Sequence, residues 1–120
     1  MANKTLVFGA SLKRERISNM AVGRLHRNGH EVVAFGMKEG NIDGVDVDTD
    51  LIMYDDVDTV TLYIKPGRQN QYFNYIVGLN PRRVIFNPGT ENPEFYALLH
   101  TYNIEIDVSC TLTLLSTDQY

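Results

Sequence analysis

Five short apolar runs alternating with segments of helical spacing predict an α/β protein, a Rossmann-like doubly wound parallel sheet of about five strands with flanking helices. Three observations carry this. Most runs are rich in Val, Ile, Leu and Phe; several are apolar on consecutive positions, as in strands covered on both faces; and each connection is long enough for a right-handed crossover.

Thr5 to Phe8 is the first strand. A helix follows, with Ile17, Met20, Ala21 and Leu25 on one face and a stop at Asn28-Gly29. Glu31 to Phe35 is the second strand. Gly36 to Asp58 is rich in glycine and aspartate where another helix would be expected; Asn41 to Gly44 reads as a turn, and Leu51 to Tyr54 as a short strand or a helical turn. Thr59 to Ile64 is the third strand. The spacing of Tyr72, Phe73, Ile76 and Val77 predicts a helix over Gln69 to Leu79, ended by Asn80-Pro81 because the residue before proline avoids the α region. Arg83 to Phe86 is the fourth strand. Phe95, Leu98, Leu99 and Tyr102 then mark a helix that Asn92 caps and Pro93 opens. Ile104 to Val108 is the fifth strand, and a short helix from Thr111 to Leu115 closes the pattern.

With 120 residues, 43% of them hydrophobic and 22% charged, the chain reads as one domain over residues 1–120, able to bury a core without metal or disulfide staples. Cys110 is the only cysteine, which excludes an internal bridge and fits a reducing compartment. The N-terminal apolar run from Leu6 to Ala10 is too short for a signal sequence or a membrane span, so a cytoplasmic protein without membrane association is expected. Net charge is −4, but unevenly spread: Met1 to Gly40 holds seven Lys or Arg against three acids, and Asn41 to Val60 holds seven Asp and no base. An acidic whole argues against a nucleic-acid binder, while the basic first third points to a small anion.

In an open parallel sheet the ligand lies outside the carboxyl ends of the strands, where helix N-termini and loop N–H groups converge. After the first strand come Gly9, Ala10 and Ser11, then Leu12 to Arg16, with Ser18 entering the helix. Gly9 permits a tight turn, the two serines offer hydroxyls, and Lys13, Arg14 and Arg16 add charge beside a positive helix end. These suit a pyrophosphate; the alternative is a generic turn whose bases face solvent. An NAD site would need a second glycine at position 11 and a carboxylate after the second strand, whereas this chain has Ser11 and Phe35-Gly36-Met37-Lys38. Lys38 points to a phosphorylated ribose.

These residues resemble the CoA-binding domain proteins, small Rossmann-like proteins also similar to the N-terminal CoA-binding domain of the succinyl-CoA synthetase α subunit. The resemblance covers nearly the whole chain. It is carried by Val7-Phe8-Gly9-Ala10-Ser11, Ser18, Asn28-Gly29-His30-Glu31-Val32-Val33, Lys38, Ile42-Asp43-Gly44-Val45, Tyr63-Ile64-Lys65-Pro66 and Phe86-Asn87-Pro88-Gly89. It implies that Gly9, Ala10, Ser11, Leu12 and Arg14 line the CoA pyrophosphate, with Ser18 close by. Gly36, Met37 and Lys38 would hold the adenosine end, Lys38 meeting the 3′-phosphate. Lys65-Pro66 and Asn87-Pro88-Gly89 would flank the nucleotide and the pantetheine arm. Two departures stand out: relatives commonly carry Asn-Pro where this chain has Gly36-Met37, and proline or a smaller residue near Arg14.

Cys110 follows the fifth strand at the same edge, either as an inert buried thiol or as one placed to form a mixed disulfide with the CoA thiol. Metal binding is not expected. Asp46, Asp48 and Asp50 alternate as in a calcium loop, but Leu51 and Val57 replace its glycine and closing glutamate. His26 and His30 are separated by Gly29, and Arg27 stands where a zinc-protease glutamate would be. His100 reads as a surface or boundary residue. No nucleophile is tied to a base, so the reading is a binding module for CoA or an acyl-CoA rather than an enzyme. The alternatives are an NADP-binding oxidoreductase, a CoA-transferring subunit that needs a partner chain, and a regulatory module with an empty site; a homo-oligomer also stays open.

Overall fold

The structure, a computed structural model, describes residues 4–120. Its strands are β1 (Lys4–Phe8), β2 (Glu31–Phe35), β3 (Gly40–Ile42), β4 (Val45–Asp48), β5 (Val57–Leu62), β6 (Arg83–Phe86) and β7 (Glu105–Asp107). The helices are α1 (Ile17–Arg27), α2 (Phe73–Leu79), α3 (Pro93–Thr101) and α4 (Thr111–Ser116). The sheet runs β3-β4-β2-β1-β5-β6-β7, parallel throughout except for the β3–β4 hairpin. The α/β Rossmann-like expectation holds, with seven strands instead of about five.

Alternation along β1 explains the layering. Leu6 and Phe8 join Ile76 and Leu79 of α2 and Phe95 and Leu99 of α3 in one core; Val7 joins Val22 and Leu25 of α1 in another, against which Leu115 of α4 packs. The second face of the sheet is partly polar. Thr5, Thr59 and Thr61 are fully buried there, and each hydroxyl is paired: with the Tyr120 hydroxyl, with Arg83 Nε at 3.2 Å and with Thr111 Oγ1 at 2.7 Å. Pairing of this kind removes the cost of burying a hydroxyl in a core.

The two additional strands fall in the stretch from 36 to 58. Ile42, Val45 and Val47 point inward while Asn41 and Asp46 are exposed, so each strand offers only one or two apolar positions, too few to register as alternation. The turn between them is Asp43-Gly44, both at positive φ (48° and 92°), as a two-residue hairpin requires. Asn41 stands inside β3 and accepts from the Gly44 N–H at 2.9 Å. Leu51 to Tyr54 forms neither strand nor helix; it is pinned by the Tyr54 hydroxyl donating to Asp48 and the Tyr75 hydroxyl donating to the Ile52 carbonyl.

Gln69 to Leu79 is also only partly as expected. The α-helix begins at Phe73, after two single turns of 3₁₀ geometry, Pro66–Arg68 and Asn70–Tyr72. The reason lies in Gln69, which is 1% exposed. Its amide donates to the carbonyls of Ile64 and Thr90, each at 2.8 Å, and its oxygen accepts from Asn92 at 3.0 Å. That anchoring fixes the tighter turn. Asn92 in turn caps α3 by accepting from the Phe95 N–H, with Pro93 at the first helical position as expected. The third and fifth strands are shorter or shifted: β5 ends at Leu62 and β7 spans Glu105–Asp107, leaving Tyr63 and Ile64 to the following loop.

Candidate functional site

From β1 the chain crosses through α1 to β2 on one side of the sheet, while from β5, on the other side of β1, it crosses through α2 to β6. The strand order therefore reverses between β1 and β5, and at their carboxyl ends a cleft of about 1060 Å³ opens. Its lining comes from three loops: Gly9 to Lys13 and Glu15 to Ser18 after β1, Gly36 to Lys38 after β2, and Tyr63 to Lys65 with Arg68 after β5, together with Phe35 and Tyr72.

Backbone approach shapes the floor. The N–H groups of Gly9 and Ala10 both donate to the Phe35 carbonyl, at 2.9 and 2.8 Å, and the Gly36 N–H donates to Asp48 O at 2.9 Å. Gly9 has φ +105°, and a Cβ there would lie 3.0 Å from Ile64 Cγ1, so the turn needs glycine for both conformation and space. Leu12 reaches over Gly40, where its Cδ2 would stand 2.6 Å from an added Cβ, and so bounds the cleft toward the hairpin. Ser18 Oγ accepts from the Ser11 N–H at 3.1 Å, Ser11 Oγ accepts from the Lys13 N–H at 3.2 Å, and Asn19 Nδ2 donates to the Ser11 carbonyl at 2.8 Å. The serines thus order their own loop. The N-cap residue of α1, Arg16, makes no side-chain cap bond, and Arg16, Ile17 and Ser18 at that positive helix end line the cleft.

Charge is the clearest feature. Of the eleven Lys and Arg in the chain, Lys4, Arg27, Arg82 and Arg83 make the ion pairs found among the described residues. Lys13, Arg16, Lys38, Lys65 and Arg68 line the cleft and belong to none of those pairs; Glu15 is the one acid of the lining. In a protein of net charge −4, such a concentration of cations that pair with no described carboxylate makes a local positive field. Apolar surface accompanies it: Leu12, Ile17 and Met37 are exposed, and Phe35 and Tyr72 present aromatic surface beside Phe8.

Not every residue implied by the resemblance reaches this cleft. Gly9, Ala10, Ser11, Leu12, Ser18, Gly36, Met37, Lys38 and Lys65 do. Arg14 is an exposed member of the same loop outside the lining, and Pro66 opens the first 3₁₀ turn. Asn87 is 1% exposed with its side chain fully engaged: Nδ2 donates to Thr61 Oγ1 at 2.7 Å and to the Leu62 carbonyl at 3.0 Å, and Oδ1 accepts from the Thr111 N–H at 2.9 Å. It clamps the ends of β5 and β6 to the start of α4. Pro88 and Gly89 are exposed beyond it.

Cys110 precedes α4, half-buried and outside the lining. Burial pushes its thiol up, but hydrogen bonds from the Thr113 N–H and hydroxyl and from the Leu112 N–H outweigh this and leave it below the usual thiol value. Burial pushes the nearby Tyr63 phenol up to about 12. Phe35, Tyr63, Ile64, Arg68 and Tyr72 are lining residues to which sequence reasoning gave no site role. The aromatics read as core, and Arg68 falls between the Lys65-Pro66 motif and the helix expected from Gln69, its one signal being a base two residues beyond that motif.

A smaller groove of about 410 Å³ lies between β2 and β4, lined by His26, His30, Glu31 and Asp46 among others. It holds no Lys or Arg, and no cluster of three or more metal-ligating side chains occurs among the described residues. No helix among them is long and apolar enough to cross a membrane.

Comparison with known proteins agrees with this architecture. An uncharacterized protein of known crystal structure is 42% identical, with a TM-score of 0.96, the match covering 100% of this chain and 99% of that one. Cell-free ID.343 from Thermus thermophilus is 19% identical with a TM-score of 0.88 over 99% and 91% of the two chains. A hypothetical protein from Pyrococcus horikoshii OT3 is 23% identical with a TM-score of 0.87 over 97% and 83%. The latter two show the fold alone. No curated protein matches the sequence. The model of the family described as CoA binding domain matches residues 3–116, and the chain belongs to that family.

Proposed function

We propose that the chain is a cytoplasmic, single-domain binding protein for coenzyme A or an acyl-CoA, without catalysis of its own. The observation that carries this is the set of five cations, Lys13, Arg16, Lys38, Lys65 and Arg68, that line the cleft at the topological switch point and make no ion pair among the described residues. The ligand's charge matches it. On this reading the pyrophosphate lies against the turn of Gly9, Ala10 and Ser11 and the first turn of α1, where the partial positive charge of the helix N-terminus, Lys13 and Arg16 meet it. The adenosine end rests over Gly36, Met37 and Lys38, with the Lys38 ammonium at the 3′-phosphate. Lys65 flanks the route of the pantetheine arm.

The chemistry of the lining favours binding over turnover. The hydroxyls of Ser11 and Ser18 accept hydrogen bonds from loop N–H groups, an arrangement that positions a loop and does not activate a nucleophile. Calorimetric titration against CoA, NADPH and NADH tests the proposal. CoA is expected to bind at least about tenfold more tightly than NADH and to weaken as salt is raised, because the contacts are ionic and partly exposed. Tighter binding of NADPH than of CoA would install the oxidoreductase reading in its place, and absence of binding by all three would remove the nucleotide site.

A further inference from the structure

Arg68 stands on the wall of the cleft that follows β5, across from the loop that follows β2. Its guanidinium nevertheless reaches that second loop: Nη2 lies 4.0 Å from the Met37 sulfur, and both side chains are exposed. Met37 is adjacent to Lys38, and neighbouring Cα atoms are only about 3.8 Å apart. The arginine head is thereby held within reach of the group that the Lys38 ammonium would meet. No carboxylate competes for it, since Arg68 makes no ion pair among the described residues.

The base of this arm is fixed. Arg68 ends the first 3₁₀ turn, its N–H donates to the Lys65 carbonyl at 2.9 Å, and the next residue is the buried Gln69 bound to the Ile64 and Thr90 carbonyls. A guanidinium presents a planar fork to two oxygens of a phosphate, so less freedom is lost per hydrogen bond formed than with the lysine opposite.

We infer that Arg68 is a specificity-determining residue that grips the ribose phosphate of the ligand together with Lys38, one cation from each wall of the cleft. This rests on the coenzyme A reading and adds to it a second determinant for the phosphorylated ribose. The Met37 thioether occupies the guanidinium until ligand arrives and is displaced by the phosphate, a far stronger acceptor.

The test is calorimetric titration of wild type, Arg68→Ala, Lys38→Ala and the double variant with CoA and with dephospho-CoA. All changed side chains are exposed, and Arg24→Ala, an exposed cation outside the cleft, serves as control. Wild type is expected to prefer CoA; Arg68→Ala is expected to lose about tenfold or more for CoA while binding dephospho-CoA as wild type does. The double variant is expected to bind both ligands alike. If Arg68→Ala weakens the two ligands equally, or neither, the assignment of Arg68 to the ribose phosphate is overturned while the coenzyme A reading stands. If wild type binds neither ligand, the coenzyme A reading itself has failed.

Discussion

Gly36→Ala is expected to destabilise the protein by about 3 kcal/mol and to weaken CoA binding with it. An added Cβ would lie 2.2 Å from the Ala10 carbonyl oxygen and 3.0 Å from Val47 Cγ1. Neither neighbour can yield cheaply. The Ala10 N–H is bonded to the Phe35 carbonyl, the Gly36 N–H to the Asp48 carbonyl, and Val47 is a buried core residue on β4. Relief therefore requires the β1 turn and the β2 end to part, and these same segments form the floor of the cleft. Urea denaturation should show a midpoint lower by about 1–2 M, given typical slopes for domains of this size. An unchanged midpoint would mean that the turn relaxes freely and that the close approach of the two loops is not what shapes the site.

A second large effect is expected at Asn87. Truncation to alanine leaves the Leu62 carbonyl and the Thr111 N–H without partners in a buried site and opens a void beside them. Each orphaned group costs about 1–3 kcal/mol, so the total, about 3–5 kcal/mol, is a large share of the stability of a typical domain. The melting temperature should fall by about 10 °C or more. Asn87→Asp retains the acceptor for Thr111 but buries an unpaired carboxylate against the Leu62 carbonyl, and should destabilise at least as much as alanine. Pro88→Ala, at an exposed position, should change stability by less than about 0.5 kcal/mol. A variant at Asn87 with an unchanged melting temperature and weakened CoA binding would support the ligand-flanking role that the resemblance implies and contradict the clamp inferred from its hydrogen bonds.

Residues 36 to 58 and 66 to 72 mark where sequence patterns stopped being informative. β1, β2 and β6 were legible because each carries consecutive apolar residues, and α1 and α3 because their apolar spacing ends in recognisable stop and cap residues, Asn28-Gly29 and Asn92-Pro93. The β3–β4 hairpin was not, since three- and four-residue strands at a sheet edge carry too few inward positions. The 3₁₀ turns depend on Gln69 meeting Thr90 and Asn92, partners more than twenty residues away that no local pattern announces. The same held for the site. Glycine, serine and lysine after β1 and β2 were readable as a turn with charge, whereas Arg68 and Tyr72 join the cleft only because the chain after β5 folds back across the ends of β1 and β2. Asn87 looked like a ligand residue from its motif; only its hydrogen bonds show that its polar atoms are already occupied.

Coenzyme A is expected in one place in the molecule, the cationic cleft at the carboxyl ends of β1 and β5. A crystal structure of the protein grown with CoA should show ligand density with the pyrophosphate against Gly9 to Ser11 and the first turn of α1, and with the adenosine 3′-phosphate between Lys38 and Arg68. An unoccupied cleft, or CoA bound at another surface such as the groove between β2 and β4, would contradict it.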